Sequence, residues 1–155
     1  MDTEALLGFL MTASRRGYAA GRSAVKMREA DHSTTIVLEQ GDWKFHDNYF
    51  GGEPYGGREV VFLQGQPIWM AVYYGEVDGA NVDGVYSFLQ RALREAPAGF
   101  PVRGPEIFTE DRFSYRNVHE GDVASFRGYE TISEDGRQVY SAHYAGGLVD
   151  RRSGD

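Results

Sequence analysis

The chain has 155 residues, a length that favours a single domain with a substantial core. It contains no cysteine, which excludes disulfides, thiol nucleophiles and thiolate metal sites and is consistent with a cytoplasmic protein. The net charge of −7 argues against direct binding to nucleic acid, and no apolar run approaches the roughly 18 residues that cross a membrane.

The first predicted element is an amphipathic helix over residues 3–16, where apolar side chains recur at helical spacing and Asp2 or Thr3 can cap the first turn. Two hairpins follow, the first with its turn at Gly41-Asp42 and the second with its turn at Gly65-Gln66. The stretch FGGEPYGG between them is rich in glycine and is predicted to be a loop.

The second part of the chain repeats this order. A second helix is predicted over about residues 82–95, with Asn81 or Asp83 as its cap. A connection rich in proline and glycine, APAGFPVRGP, leads to two more hairpins with turns near Asp111 and at Asp135-Gly136. The expected order of helix, four strands, helix, four strands is typical of an α+β protein with largely antiparallel pairing.

Residues 57–77 and 128–148 resemble two copies of one unit at a constant offset. Six pairs are identical: Gly57/Gly128, Glu59/Glu130, Gly65/Gly136, Ala71/Ala142, Tyr73/Tyr144 and Gly75/Gly146. Such a repeat constrains the whole fold. It predicts one domain over residues 1–150, built from two repeats (approximately 1–78 and 79–150) and followed by a frayed tail, 151–155. The repeats are expected to pack about a pseudo-twofold axis into one curved sheet with both helices on one side.

Two equivalent carboxyl groups, Glu59 and Glu130, are the first candidates for a functional site. Strand alternation after any two-residue turn places Glu59 on an apolar face with Val61, Leu63, Ile68, Met70, Val72 and Tyr74. Glu130 then shares its face with Ile132, Val139, Ser141 and His143. A carboxylate in such surroundings is costly and its pKa rises. The pair could hold a cationic or hydroxylated ligand, act as general acid and base, or bind nearby arginines and stabilise the sheet.

The opposite face is predicted to carry an aromatic group that contains Trp69, Tyr73, Tyr140 and Tyr144. As a cage, this group suits a flat or cationic ligand. As part of the core, it needs only partners for its OH and NH groups. Both faces of the hairpin over residues 58–75 are mostly apolar, so we expect both to be covered.

Neither metal nor triad chemistry is indicated. His46-Asp47 and His119-Glu120 bring ligand-type residues together without a specific metal-ligand spacing. Ser141 and His143 lie in no nucleophile elbow. We therefore predict no metal and no cofactor, and the residues leave open whether the chain is an enzyme.

Four segments carry a resemblance to a known family: residues 45–77 (FHDNYFGGEPYGGREVVFLQGQPIWMAVYYGEV), SFLQRAL, Arg103-Gly104-Pro105 and the ending YAGGLV. Together they resemble the bacterial domain-of-unknown-function family 5680. Its elements D-x-Y-F-G-G, Y-x-G-x-E-V-V and P-x-W-x-x-x-Y-Y-G fall on Asp47–Gly52, Tyr55–Val61 and Pro67–Gly75. The resemblance implies a single compact domain, found alone or attached to helix-turn-helix regulators, and it implies no reaction.

These observations favour a ligand-binding or sensory domain with a pocket between its two halves and a small cationic or aromatic ligand. The predicted lining is Glu59, Glu130, Trp69, Tyr73, Met70, His143 and Tyr144. A small cofactor-free enzyme that uses Glu59 as general acid or base is the first alternative, and an antitoxin-like protein-interaction module is the second. A homodimer is compatible with each of the three.

Overall fold

A computed structural model of the chain describes residues 2–17, 25–150 and 152. In chain order the elements are α1 (Thr3–Arg16), β1 (Met27–Arg28), β2 (Thr34–Gln40), β3 (Trp43–Phe50), β4 (Tyr55–Leu63), β5 (Gln66–Val77), α2 (Val82–Arg94), β6 (Ile107–Glu110), β7 (Phe113–Asp122), β8 (Ser125–Glu134) and β9 (Arg137–Leu148). The fold is α+β, as predicted. The two-residue strand β1 was not expected, and the predicted tail at 151–155 lies outside the described residues except for position 152.

Both helices form where the apolar periodicity predicts them. The Asp2 side chain caps α1 by accepting hydrogen bonds from the backbone N–H groups of Glu4 and Ala5, at 3.0 and 3.2 Å. Asn81 precedes α2 without a capping hydrogen bond from its side chain. Among the described residues, neither helix is long and apolar enough to cross a membrane.

All the strands belong to one open antiparallel sheet in the order β1-β2-β3-β4-β5-β9-β8-β7-β6. The two long hairpins, β4/β5 and β8/β9, close through Gln64-Gly65 and Asp135-Gly136, whose four φ angles are all positive, between 51° and 80°. This backbone is that of a type I′ turn, which matches the twist of the strands. The turn predicted at Gly65-Gln66 is therefore wrong by one residue, whereas the turn at Asp135-Gly136 is confirmed.

A β-bulge in each long hairpin changes which side chains share a face. Val61 pairs with Trp69 but Phe62 pairs with Pro67, so Ile68 is an extra residue on β5. The register shifts again between Ile132 and Ser133. Because one extra residue inverts the alternation beyond it, the predicted sorting of the faces is wrong.

The corrected faces bring together residues that the sequence had separated. Glu59 shares a face with Trp69, Ala71 and Tyr73, and Glu130 shares it with Tyr140, Ala142 and Tyr144. Met70 and His143 lie on the other face. The expectation that both faces are covered is also wrong, because Val72 and Tyr74 on that other face are 47% and 55% exposed.

The helices pack on the face that carries the two glutamates. Ring contacts join Phe9 of α1 to Trp43 at 5.2 Å between centroids, and Phe88 of α2 to Phe113 at 5.0 Å. Buried side chains of both helices and of this sheet face form one continuous core. The candidate site lies within this layer.

At the centre of the sheet, β5 pairs with β9, and Tyr73 lies directly opposite Tyr144. These are the two residues that the sequence repeat treats as equivalent. Each half of the chain contributes one helix and one side of this central strand pair. The strand pair is therefore where the two halves meet.

Candidate functional site

Three carboxyl groups and one guanidinium are buried between the sheet and the helices. Asp47 on β3 lies directly opposite Glu59 on β4, and Glu130 lies on β8. Their only buried cationic neighbour among the described residues is Arg103, in the connection after α2. An excess of buried carboxyl groups is costly, because each needs a hydrogen-bonding or charged partner to remain ionised.

In the second half of the chain, both oxygens of the Glu130 carboxylate accept hydrogen bonds. Arg103 donates from Nε to both oxygens of Glu130, at 3.1 Å each, and from Nη2 to Oε1 in a short contact. The hydroxyl groups of Tyr115 and Tyr140 donate to the same carboxylate at 2.6 and 2.9 Å. This arrangement is a charge-assisted network around one carboxylate.

Gly104 allows the Arg103 network to form. Its backbone N–H donates to the hydroxyl of Tyr115 at 3.0 Å. A Cβ atom at this position would lie 2.7 Å from Cε1 of the same ring, closer than such contacts allow. A glycine is therefore needed where the connection passes over Tyr115, and it fixes the backbone next to Arg103.

Asp47 in the first half is only partly satisfied. The hydroxyl of Tyr73 donates to its Oδ1 at 2.5 Å, whereas Oδ2 accepts no hydrogen bond from the described residues. The side chain is fully buried. Burial raises the pKa of Asp47 to about 6, although the Tyr73 hydrogen bond and the charges of Arg103 and Lys26 act in the other direction.

Glu59 is still less satisfied. Within the part of the chain that the structure describes, its carboxyl group forms no hydrogen bond. Burial, followed by the nearby charge of Asp47, raises the pKa of Glu59 to about 8, against the opposing effect of Arg103. The side chain borders a cavity of about 10 Å³, lined by Leu10, Ser14, Phe45, Leu93, Pro101 and Val102. A space of this size holds at most one water molecule and no substrate.

A much larger cleft of about 870 Å³ opens beside Asp47. Its walls come from β3, β4 and β5 of the first half and from α2 of the second. Four tyrosines line it: Tyr49, Tyr55, Tyr73 and Tyr86. The charged groups along it are Lys26, Asp47, Asp83 and Arg94. A cleft of this volume that contains tyrosines and one buried, incompletely bonded carboxylate is typical of a small-molecule site.

Two hydrogen-bonded links hold the walls of this cleft. Tyr86 donates to the carboxylate of Glu53, which also accepts the backbone N–H of Val77 at 2.7 Å. On the other wall, the hydroxyls of Tyr55 and Tyr140 lie 2.5 Å apart. Through Tyr140, the cleft is therefore connected to the Glu130–Arg103 network.

The predicted site residues divide into three groups. Tyr73 lines the cleft. Glu59 does not line it but lies opposite Asp47 on the neighbouring strand. Trp69 belongs to the core: it is fully buried, donates from Nε1 to the carbonyl oxygen of Val123 at 2.9 Å and stacks on Phe126.

The remaining predicted residues do not reach the cleft. Glu130 and Tyr144 are buried in the second half, where the hydroxyl of Tyr144 donates to Oδ1 of Asn117 at 2.6 Å. Met70 and His143 face the outer side of the sheet, away from Glu59 and the helices. A broad depression of about 800 Å³ on that side is lined by His143 together with Tyr73 and Tyr144, and it contains no buried charged group.

The most informative residues missed by the sequence reasoning are Asp47 and Arg103. The sequence indicates Asp47 only as a ligand-type residue next to His46 and as the start of the D-x-Y-F-G-G element. Arg103 had been noted only within Arg103-Gly104-Pro105. Among the described residues, no cluster of three or more His, Asp or Glu side chains could hold a metal ion.

The family described as Domain of unknown function (DUF5680) matches residues 47–149. The chain belongs to this family. The matched range includes Asp47, Glu59, Arg103 and Glu130 and starts at the carboxylate beside the cleft. No curated protein and no solved structure matches the chain at a significant level.

Proposed function

We propose that this protein is a small-molecule-binding or sensory domain whose cleft takes up an organic cation beside Asp47. The observation that carries this proposal is the buried Oδ2 atom of Asp47, which accepts no hydrogen bond from the described residues. At neutral pH most of the Asp47 carboxyl groups are ionised, since the pKa is about 6. A cation in the cleft would supply the missing partner.

The charge balance of the interior supports a cationic ligand. Arg103 is bound to Glu130 by several hydrogen bonds, so its charge is already shared with another carboxylate. The same Arg103 charge is the interior charge that favours the ionised forms of both Asp47 and Glu59. A ligand with a single positive charge would relieve this competition, whereas an anion would increase it.

The aromatic lining supports an organic cation over an inorganic one. Tyr49, Tyr55 and Tyr86 line the cleft together with Asp47. Aromatic rings attract alkylammonium groups through their electron-rich faces and also bury apolar parts of a ligand. An amine that carries an aromatic or alkyl group would use both properties, and we expect it to bind in the cytoplasm.

We also infer that the domain arose by internal duplication and that the cleft lies between two pseudo-symmetric halves. The long hairpins have bulges at positions 71 residues apart, Val61/Phe62 and Ile132/Ser133. Tyr73 and Tyr144, separated by the same offset, face each other in the central strand pair. A pseudo-twofold axis near this tyrosine pair would relate the halves.

The proposal is tested by thermal shift with matched cationic and neutral compounds, for example benzyltrimethylammonium and benzyl alcohol. A cation at 100 times its dissociation constant adds about 2.7 kcal/mol and raises the melting temperature by roughly 5–10 °C. Asp47→Asn should abolish this shift, and the control Asp42→Asn in the first hairpin turn should retain it. Equal shifts for the parent and Asp47→Asn would contradict the proposal.

An acid–base enzyme is the second candidate function. Asp47 and Glu59 lie opposite each other, and their pKa values of about 6 and 8 are both close to neutrality. Groups that titrate in this range are suited to proton transfer. Because Asp47 borders the cleft and Glu59 does not, Asp47 would contact the substrate. Loss of substrate turnover in Asp47→Asn with retained substrate binding would favour the enzyme over the sensor.

A further inference from the structure

The carboxyl groups of Asp47 and Glu59 lie on neighbouring strands, and few positive charges lie near enough to stabilise both as ions. The two residues face each other across neighbouring strands, a spacing at which side chains on the same face interact directly. Around Glu59 the small cavity presents mainly apolar atoms from both helices and from the connection after α2. Two negative charges here would repel each other in surroundings that solvate them poorly.

We propose that this pair exchanges a proton for a cation: the ligand that binds beside Asp47 displaces the proton held by Glu59. This inference rests on the proposed function of the cleft. With the cleft empty, Glu59 carries its proton and Asp47 carries the single negative charge. When the cation binds, the O–H bond of Glu59 breaks, the electron pair stays on its carboxylate oxygen, and the proton passes to solvent water.

The charged groups that face Glu59 come from three elements. Asp47 on β3 and Glu130 on β8 favour its protonated form, and Arg103 in the connection favours its ionised form. The neighbouring segment of α1 contributes the uncharged Leu10 and Ser14. Lys26, whose Nζ lies over the ring of Tyr49 on β3, favours the ionised form of Asp47. Of these cations, only Arg103 lies in the interior, and it is bound to Glu130.

The pKa values of the two carboxyl groups agree with this geometry. The pKa of Asp47 is about 6 and that of Glu59 about 8, so neutral pH lies between the two steps. A unit positive charge roughly 7 Å from a carboxyl group, at an effective dielectric constant of about 20, lowers its pKa by more than one unit. A cation beside Asp47 is therefore sufficient to ionise much of Glu59 at neutral pH.

The experiment is calorimetric titration with benzyltrimethylammonium between pH 6 and pH 8, the interval between the pKa values of Asp47 and Glu59. Each titration is repeated in phosphate and in ACES, two buffers that work near neutral pH, carry no net positive charge and have different ionisation heats. The parent should release a proton on binding, so the measured heat should depend on the buffer. Its affinity should rise with pH by up to about tenfold per unit and level off above the pKa of Glu59.

Three variants assign the effect. Glu59→Gln should release a proton only near pH 6, from Asp47, and none between pH 7 and pH 8, where its affinity should stay low and independent of pH. Asp47→Asn should not bind the probe. Glu120→Gln, an exposed carboxylate on the outer face, should behave like the parent. Because proton release is measured on the unmodified chain, the result does not depend on how well a variant folds.

Two outcomes would separate the failure of this inference from the failure of the proposed function. Binding that requires Asp47 but is independent of pH and buffer would overturn proton exchange and leave the cation site in place. Absence of binding by benzyltrimethylammonium at every pH, or binding that survives Asp47→Asn, would overturn both.

Discussion

Glu130 in the second half of the sheet receives hydrogen bonds from one guanidinium and two tyrosine hydroxyls, whereas its counterpart Glu59 in the first half receives none from the described residues. The residue opposite each glutamate also differs: it is Asn117 in the second half and Asp47 in the first. A tyrosine of the central strand pair donates to each, Tyr144 to the amide and Tyr73 to the carboxylate.

The two halves differ in how their buried carboxylates are bonded. In the second half an arginine binds Glu130, and an amide lies opposite it. In the first half a carboxylate replaces the amide, no arginine is bound to the glutamate, and a cleft opens next to the excess charge. Incompletely bonded carboxylates with raised pKa values are found more often at functional sites than in a core that serves stability alone.

The largest loss of stability is expected when the hydrogen bonds between Arg103 and Glu130 are removed. Arg103→Met leaves the charge of Glu130 buried without its cation, which should lower the free energy of unfolding by about 3–5 kcal/mol. Urea denaturation measures the loss. The exposed pair of Arg127 and Glu120 provides the control, since Arg127→Met should change stability little. A similar small loss for both variants would show that the Arg103 network does not stabilise the second half.

The second prediction concerns the pH dependence of the open half. Because the pKa of Glu59 is raised from 4.5 to about 8, its contribution to stability is complete below pH 4.5 and is lost as the pH rises through 8. We expect Glu59 to account for a loss of roughly 2–4 kcal/mol in the parent over this range, and this part of the loss should be absent from Glu59→Gln.

Urea denaturation from acidic to basic pH checks this prediction. Asp47 contributes a similar loss between pH 3.8 and about 6, and this part should remain in Glu59→Gln. Parallel stability profiles for the parent and Glu59→Gln between pH 6 and 8 would contradict the raised pKa of Glu59.

Asp47 and Asn117 lie opposite the two glutamates, and exchanging an acid for an amide at these positions should have opposite effects on stability. Asn117→Asp removes the hydrogen bond from Nδ2 to the carbonyl oxygen of Gly104, at 3.0 Å, and adds a carboxylate beside Glu130. It should destabilise the protein by about 1–3 kcal/mol at neutral pH. The reciprocal change, Asp47→Asn, should stabilise the protein above pH 6, because it removes a buried charge. Thermal denaturation of both variants tests the exchange, and destabilisation of equal size in both would contradict it.

The smallest expected difference is between the two tyrosine hydroxyls. Tyr73→Phe removes a hydrogen bond to a carboxylate and Tyr144→Phe removes one to an amide, at 2.5 and 2.6 Å in the parent. Hydrogen bonds to charged groups are the stronger class, so Tyr73→Phe should cost about 1 kcal/mol more. The pKa of Asp47, followed by carboxyl NMR, should also rise in Tyr73→Phe alone. Equal costs at neutral pH would indicate that Asp47 is uncharged there.

The sequence predicts the elements of this fold well because they depend on local patterns. The helices at residues 3–16 and 82–94 follow from apolar spacing, and the hairpin turn at Asp135-Gly136 follows from residues that accept positive φ. The family was also recognised from short motifs. Whether the two long hairpins superpose stays a prediction.

The face assignments failed because a single residue decides them. Ile68 suits a regular strand as well as a bulge, so the alternation gives no sign of the extra residue that inverts the faces. The partner of Glu130 was equally hidden, since the nearest arginine in sequence, Arg127, points to the other face and Arg103 arrives from the connection 27 residues away. Such contacts depend on tertiary packing and have no local signature.

The central strand pair has a consequence for the order of folding. Every other pair of neighbouring strands in the sheet is consecutive in the chain, whereas β5 and β9 bring together Tyr73 and Tyr144 from opposite halves. Hairpins close within microseconds, but pairing over so long a loop has a larger entropic barrier and occurs later. A refolding chain should therefore form its helices and hairpins first and pair Tyr73 with Tyr144 last.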